Sequence, residues 1–179
     1  MSPFPAPHST ALLVPVPDAE DLVGSLRLEH DPSAAAGVPA HVTVMVPFLP
    51  PKELDDGLTL ELRSLLKAVP PFGFRLATVG WFARNVLYLA PDPAEPFIAL
   101  TELVSREFGT APYSGEYDTI VPHLTVAHAS DGVELAPIAE RLSGGLPLDC
   151  RAEEVWLMES DAAAWQTRRQ FPLGERAAV

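Results

Sequence analysis

The chain has 179 residues, of which 47% are hydrophobic, and it carries a formal net charge of −12. The excess of 24 acidic over 12 basic residues counts against binding of long RNA or DNA, but is compatible with a small nucleotide or an RNA end held in a local pocket. No apolar run is long enough to span a bilayer, no signal peptide is recognisable, and the single cysteine excludes an internal disulfide, so we expect a cytoplasmic protein without membrane contact.

Hydrophobic periodicity divides the chain into strands and helices. In chain order it predicts a strand over 10–16, a helix capped by Asp18 and ending near Glu29, a strand over 41–46, a helix over 53–69, a hairpin of strands over 72–81 and 85–90, a helix over 94–108, a strand over 123–127, a helix over 133–142, and strands over 146–158 and 165–172. Loops rich in Pro and Gly lead into the strands that begin at residues 41 and 123.

Those two strands carry nearly the same tetrad, HVTV beginning at His41 and HLTV beginning at His123. Successive side chains of a strand point to opposite faces, so each histidine shares a face with the threonine two residues later, Thr43 or Thr125. The apolar residues between them fill the opposite face. A lone His-x-Thr is usually a hydrogen-bonded strand histidine, but two matched copies predict paired chemistry.

The two tetrads lie about half the chain apart, and each is followed by a helix and then by a long strand with a shorter partner. This order predicts an ancient duplication, with two α+β halves related by a pseudo-twofold axis. Such an axis would aim both histidines into one cleft. The length suffices for one domain, and we expect residues 1–179 to form it.

Paired imidazoles suit acid–base chemistry on a phosphodiester. One neutral ring can take a proton from water or a hydroxyl, and the other ring, protonated, can give one to the leaving oxygen. Each threonine hydroxyl can donate to a non-bridging phosphoryl oxygen, where charge is held in the transition state. The scheme requires no metal and no cofactor.

The tetrads and their surroundings resemble the 2H phosphoesterase superfamily, and within it the bacterial 2′-5′ RNA ligase family, whose members act as 2′,3′-cyclic phosphodiesterases. The resemblance covers most of the chain, from Thr10 to Gly174. Its segments are HVTVMVPF at 41–48, VGWFARNVLYLAP at 79–91, VPHLTVAH at 121–128 and EEVWLMESDAAAWQTRRQFPLG at 153–174.

The resemblance implies a bilobal α+β fold, with two antiparallel sheets flanked by helices around a central cleft. It also implies that His41 and His123 are the acid–base pair and that Thr43 and Thr125 bind the phosphate. The expected activity is metal-independent hydrolysis of a 2′,3′-cyclic phosphate or a 2′-5′ linkage in a nucleotide or RNA end, by a monomer. The alternative is a non-catalytic module that binds a nucleotide or cyclic phosphate in the same cleft.

Five further residues are candidates for the substrate pocket. Tyr113 and Tyr117 lie on the loop that enters the second tetrad, and they could stack on a base, bind the phosphate or simply anchor the loop. Trp81, Phe82 and Arg84 lie at the predicted hairpin end, where they could line a nucleotide pocket or serve packing.

His128 follows His123 by five residues, so on a continuing strand it would point to the opposite face and not act as a third catalytic histidine. A zinc site formed by these two histidines and Asp131 is conceivable, but its spacing matches no familiar ligand pattern, and no metal site is expected.

Overall fold

The computed structural model describes residues 8–130 and 134–174. In this part of the chain eight strands and five α-helices follow one another. They are β1 (Thr10–Pro15), α1 (Glu20–His30), α2 (Pro32–Ala35), β2 (His41–Met45), α3 (Asp56–Lys67), β3 (Phe72–Phe82), β4 (Val86–Asp92), α4 (Glu95–Phe108), β5 (Leu124–His128), α5 (Leu135–Ser143), β6 (Leu148–Ala152), β7 (Glu154–Ser160) and β8 (Trp165–Pro172).

The strands form two antiparallel sheets of four strands each. The first sheet has the order β2-β1-β7-β8 and the second sheet has the order β5-β4-β3-β6. Each tetrad strand is an edge strand, and its neighbour is the strand that precedes it along the chain, β1 for β2 and β4 for β5. The predicted α+β class with two antiparallel sheets and flanking helices is confirmed.

The prediction of one continuous strand over 146–158 is wrong, because this segment forms two strands in different sheets. β6 pairs with β3 in the second sheet, and β7 pairs with β1 in the first. The burial pattern shows the break: Cys150 and Ala152 are buried, then Val155 and Leu157, so the two-residue alternation changes phase between them. The hairpin of β7 and β8 therefore completes the sheet that holds the first tetrad, so this sheet combines strands from both ends of the chain, whereas the second sheet consists of the consecutive strands β3 to β6.

Smaller differences between the predicted and the observed elements occur at the ends of helices. Asp18 lies in a 3-10 turn over Pro17–Ala19 and does not cap α1, whose N-cap is Ala19. The predicted loop that leads into the strand beginning at residue 41 contains the short helix α2, whose N-terminus is capped by the Asp31 side chain, which accepts a hydrogen bond from the Ser33 N–H at 3.0 Å. Val133, predicted to begin α5, lies outside the described residues.

One buried apolar cluster joins the two sheets to the helices that cover them. The residues that alternate with the tetrad side chains belong to it, including Val42 and Leu124, neither of which is exposed. In the same cluster Phe97 of α4 meets the rings of Phe72 and Phe74 edge-on at centroid distances of 5.0 Å. The tetrad strands are thus anchored from behind by the core.

The N-terminus of α3 offers a test of this local structure. Asp55 caps α3 by accepting a hydrogen bond from the Leu58 N–H at 2.8 Å. Asp55→Ala is expected to lower the free energy of unfolding by about 1 kcal/mol, because it leaves that N–H without its side-chain partner. Urea unfolding measures the change. Glu61→Ala, on the exposed face of the same helix, should stay within about 0.5 kcal/mol of wild type, and an equal loss in both variants would contradict the assignment of the cap.

Candidate active site

The two tetrads meet where β2 of the first sheet contacts β5 of the second. His41 begins β2, whereas His123 lies immediately before β5, which starts at Leu124. The predicted alternation holds in both tetrads, because the apolar residues are buried and Thr43 and Thr125 are partly exposed. His41 itself is 6% exposed, so it lies deeper than His123, which is only half-buried.

Both imidazoles are held in the same way. Nδ1 of His41 lies 2.8 Å from the carbonyl oxygen of Pro39, and Nδ1 of His123 lies 2.7 Å from that of Val121. A carbonyl oxygen can only accept, so each Nδ1 carries the hydrogen and donates it. In the neutral ring Nε2 is then the basic nitrogen, at the same place in each tetrad.

The protein lowers the pKa of both rings. Burial lowers the pKa of His41 from 6.5 to about 4, with further lowering by the charges of Arg27 and His123, while the hydrogen bond to Pro39 and the charge of Asp31 raise it. Burial also lowers the pKa of His123, against the hydrogen bond to the Val121 carbonyl. His41 and His123 thus influence each other electrostatically, and both are mainly neutral at pH 7.

The loop that enters the second tetrad lies against the first one. The Tyr113 N–H donates to the Val46 carbonyl at 2.6 Å, and the Tyr113 hydroxyl is hydrogen-bonded to the Thr43 side chain. Burial raises the pKa of Tyr113 to about 12, so its hydroxyl keeps its proton at neutral pH. The Tyr117 ring meets Tyr113 edge-on at 5.6 Å and is 61% exposed. Tyr113 therefore both anchors the loop and contacts a tetrad residue.

An aromatic pair flanks His123. Phe82 and Tyr88 stack at a centroid distance of 4.3 Å, and they lie 4.8 and 5.5 Å from the His123 ring. Gly80 makes room for the Tyr88 ring, because a Cβ there would lie 2.3 Å from Tyr88 Cζ. Tyr88 is not among the residues predicted for the pocket. The register of β4 places it opposite Thr125 of β5, a pairing that no local pattern in the sequence indicates.

The other two hairpin candidates lie away from this pair. Trp81 precedes Phe82 on β3, so its side chain points to the opposite face, and it is 41% exposed. Arg84 is exposed in the turn between β3 and β4, where its φ is 63°. Of the three, the structure brings Phe82 to a tetrad histidine.

His128 ends β5 and points toward a buried charge cluster that the sequence did not reveal. Its Nε2 lies 3.7 Å from Oδ1 of Asp31, which in turn pairs with Arg27 at 2.9 Å. Asp31 and Arg27 lie at the end of α1, one turn apart, with no motif to mark them. Asp131 of the conceivable zinc site lies outside the described residues, and within 8–130 and 134–174 no three His, Cys, Asp or Glu side chains are grouped to hold a metal ion.

Comparisons with known proteins show what this chain is similar to. The family model of the 2′-5′ RNA ligase superfamily matches residues 14–164. A protein of Bacillus cytotoxicus named "Putative phosphoesterase" is 34% identical over 69% of this chain and 70% of its own length. A protein of Bacillus licheniformis with the same name is 29% identical over 91% of this chain and 96% of its own length.

Two solved structures share the fold. The protein TT0787 of Thermus thermophilus has a TM-score of 0.64 and 22% identity, and covers 94% of this chain and 100% of its own. E. coli LigT in complex with 3′-AMP has a TM-score of 0.58 and 20% identity, and covers 94% of this chain and 99% of its own. None of the helices in the described ranges is long and apolar enough to cross a membrane. The match over 14–164, together with the curated relatives, shows that this chain belongs to the 2′-5′ RNA ligase superfamily.

Proposed function

We propose that the protein is a metal-independent phosphodiesterase that hydrolyses a 2′,3′-cyclic phosphate or a 2′-5′ linkage in a nucleotide or RNA end. The observation that carries the proposal is the matched presentation of two imidazoles where two contacting strands begin, each with Nδ1 donating to the carbonyl two residues upstream. Each ring then offers Nε2 for proton transfer, which is what a two-histidine acid–base mechanism requires.

In this mechanism the neutral histidine takes a proton from the attacking water through Nε2. The water oxygen forms a new bond to phosphorus, the bond from phosphorus to the ribose oxygen breaks, and the second histidine, as imidazolium, gives its proton to that leaving oxygen. The Thr43 and Thr125 hydroxyls donate to the non-bridging oxygens, where negative charge gathers in the transition state. After the reaction the two rings have exchanged protonation states, and a proton exchange with solvent restores them.

The relatives support phosphoesterase chemistry at this site. The Bacillus proteins bear that name, and E. coli LigT has been crystallised with 3′-AMP, with ATP and with phosphate. We propose a ligand of the same kind for this chain, a small nucleotide or an RNA end. The Phe82–Tyr88 pair beside His123 supplies an aromatic surface next to the reacting phosphate, on which a base could stack.

The pH dependence of the reaction follows from the two pKa values. At a pH below both pKa values both rings are protonated and no base is available, whereas above both pKa values, which lie below 6.5, neither ring of the free protein holds a proton to donate. A plot of kcat/KM against pH is therefore expected to be bell-shaped, with both limbs on the acid side of pH 6.5. Stopped assays in buffers of constant ionic strength measure it. A value of kcat/KM that rises steadily with pH would contradict an acid–base mechanism that uses both histidines.

A second candidate function is a non-catalytic module that binds a nucleotide or cyclic phosphate. The lowered pKa of both histidines favours it, because the free protein then holds little imidazolium at neutral pH to serve as the acid. The test is a panel of 2′,3′-cyclic mononucleotides and 2′-5′-linked dinucleotides, followed by both calorimetry and product analysis. Turnover of any member supports the phosphodiesterase, whereas saturable binding without product supports the module.

A further inference from the structure

Arg27 is the largest fully buried side chain in the described part of the chain, with 2% exposure. A buried guanidinium is costly unless its N–H groups and its charge are matched. Asp31, the residue that follows α1 and caps α2, supplies the charge through Oδ2, which accepts from Nη2 at 2.9 Å and from Nε at 3.2 Å. Ser33 fixes the Asp31 carboxylate in turn, with its hydroxyl 2.8 Å from each carboxylate oxygen.

Two further bonds of Arg27 reach the backbone of the second tetrad and of the segment that leads into the first tetrad. Nε donates to the carbonyl oxygen of Thr125 at 3.1 Å, and Nη1 donates to that of Val38 at 3.2 Å. Thr125 is the threonine of the second tetrad. Val38 immediately precedes Pro39, whose carbonyl orients the His41 imidazole. A single guanidinium therefore bridges the second-sheet strand β5 and the segment that leads into the first-sheet strand β2.

We propose that Arg27 is a positioning residue for the proposed reaction. Its rigid guanidinium, which we call the fork, binds the Val38 and Thr125 carbonyls together and so sets the separation of the two tetrads. It touches no reacting atom, since all of its bonds go to the backbone and to the Asp31 and Ser33 side chains. The planar guanidinium fixes the angles between its donors, which an ammonium group on a flexible chain does not do. The packing of α1 against β5 holds the fork in place between the sheets.

Replacing Arg27 with lysine tests this inference, which rests on the proposed function because its readout is catalysis. Arg27→Lys keeps the positive charge beside His41 but loses the fork, so kcat for adenosine 2′,3′-cyclic phosphate should fall about 10- to 100-fold, because the acid and base are no longer held at their working separation. KM should change less than about threefold, and the limbs of the pH profile should stay in place. A purely structural role would lower the fraction of folded protein and leave the kcat of the folded molecules unchanged.

Arg75→Lys is the matched control, because Arg75 also pairs with an aspartate through Nε, at 2.9 Å from Asp149, but on the exposed surface. It should keep the wild-type kcat. If Arg27→Lys does not fold, the double variant Arg27→Gln/Asp31→Asn removes both buried charges together and keeps an N-cap residue for α2, and it should show the same loss of kcat.

The outcomes separate this inference from the proposed function. The positioning role alone is overturned if the wild type turns over and a folded Arg27 variant has a kcat within about twofold of the wild-type value. A loss confined to KM also overturns it, as does failure of both variants to fold, since Arg27 then serves stability. Absence of wild-type turnover overturns the proposed function, and the positioning role with it.

Discussion

His41→Ala and His123→Ala are each expected to lower kcat/KM for a 2′,3′-cyclic mononucleotide by about 10²- to 10⁴-fold. In the proposed mechanism each variant removes one of the two groups that exchange protons with the substrate, and water in that place is a much weaker base or acid. Because both rings present Nε2 in the same way, the two losses should be of similar size. Initial rates at several substrate concentrations, with product resolved chromatographically, measure the effect.

His8→Ala is the matched control for these variants, because its side chain is exposed and lies outside both tetrads. It should retain wild-type kcat/KM. Thermal melting accompanies each assay, since His41 is buried and its removal also leaves a small cavity. A well-folded variant of either tetrad histidine that keeps the wild-type rate would show that the two rings do not act as a pair.

Thr43→Val and Thr125→Val are expected to lower kcat by about 10²- to 10³-fold each, because in the proposed mechanism each hydroxyl donates to an oxygen on which charge develops. Valine keeps the shape of threonine and suits a strand, so the backbone should hold its place. Thr78→Val, on the exposed face of β3, is the control and should leave kcat unchanged.

The two threonines differ in one contact that the experiment must separate. Thr43 is hydrogen-bonded to the Tyr113 hydroxyl, so Thr43→Val also leaves that hydroxyl without its partner. Comparing Tyr113→Phe with the double variant Thr43→Val/Tyr113→Phe isolates the contribution of the threonine, because neither protein then holds a tyrosine hydroxyl without its partner. Full activity in Thr125→Val and in this double variant would contradict the phosphate-binding role of the hydroxyls.

Much of the fold follows from periodicity, because most elements carry their own signal. The α3 leucines recur at helical spacing, Gly109 ends α4 in a left-handed conformation, and β8 matches its predicted limits. The division of 146–158 between two sheets was missed because both parts alternate in the same manner. Only the phase change between Ala152 and Val155 distinguishes them, and which sheet each part joins depends on partners distant in sequence.

The tetrads could be recognised because their chemistry is local to four residues and occurs twice. The shared orientation of the imidazoles could not be predicted, since it depends on where the carbonyls of Pro39 and Val121 point. Arg27 is a stronger example, because an arginine in the last turn of an amphipathic helix is usually solvated. Its burial results from the packing of α1 against β5.

The measurement that tests the central claim most directly is hydrolysis of adenosine 2′,3′-cyclic phosphate in excess EDTA by wild type, His41→Ala and His123→Ala side by side. We expect wild type to turn over at a rate that EDTA does not change, and both variants to lose nearly all of that rate. Turnover that EDTA abolishes, or that survives the loss of either imidazole, would contradict a metal-independent reaction carried by the two histidines.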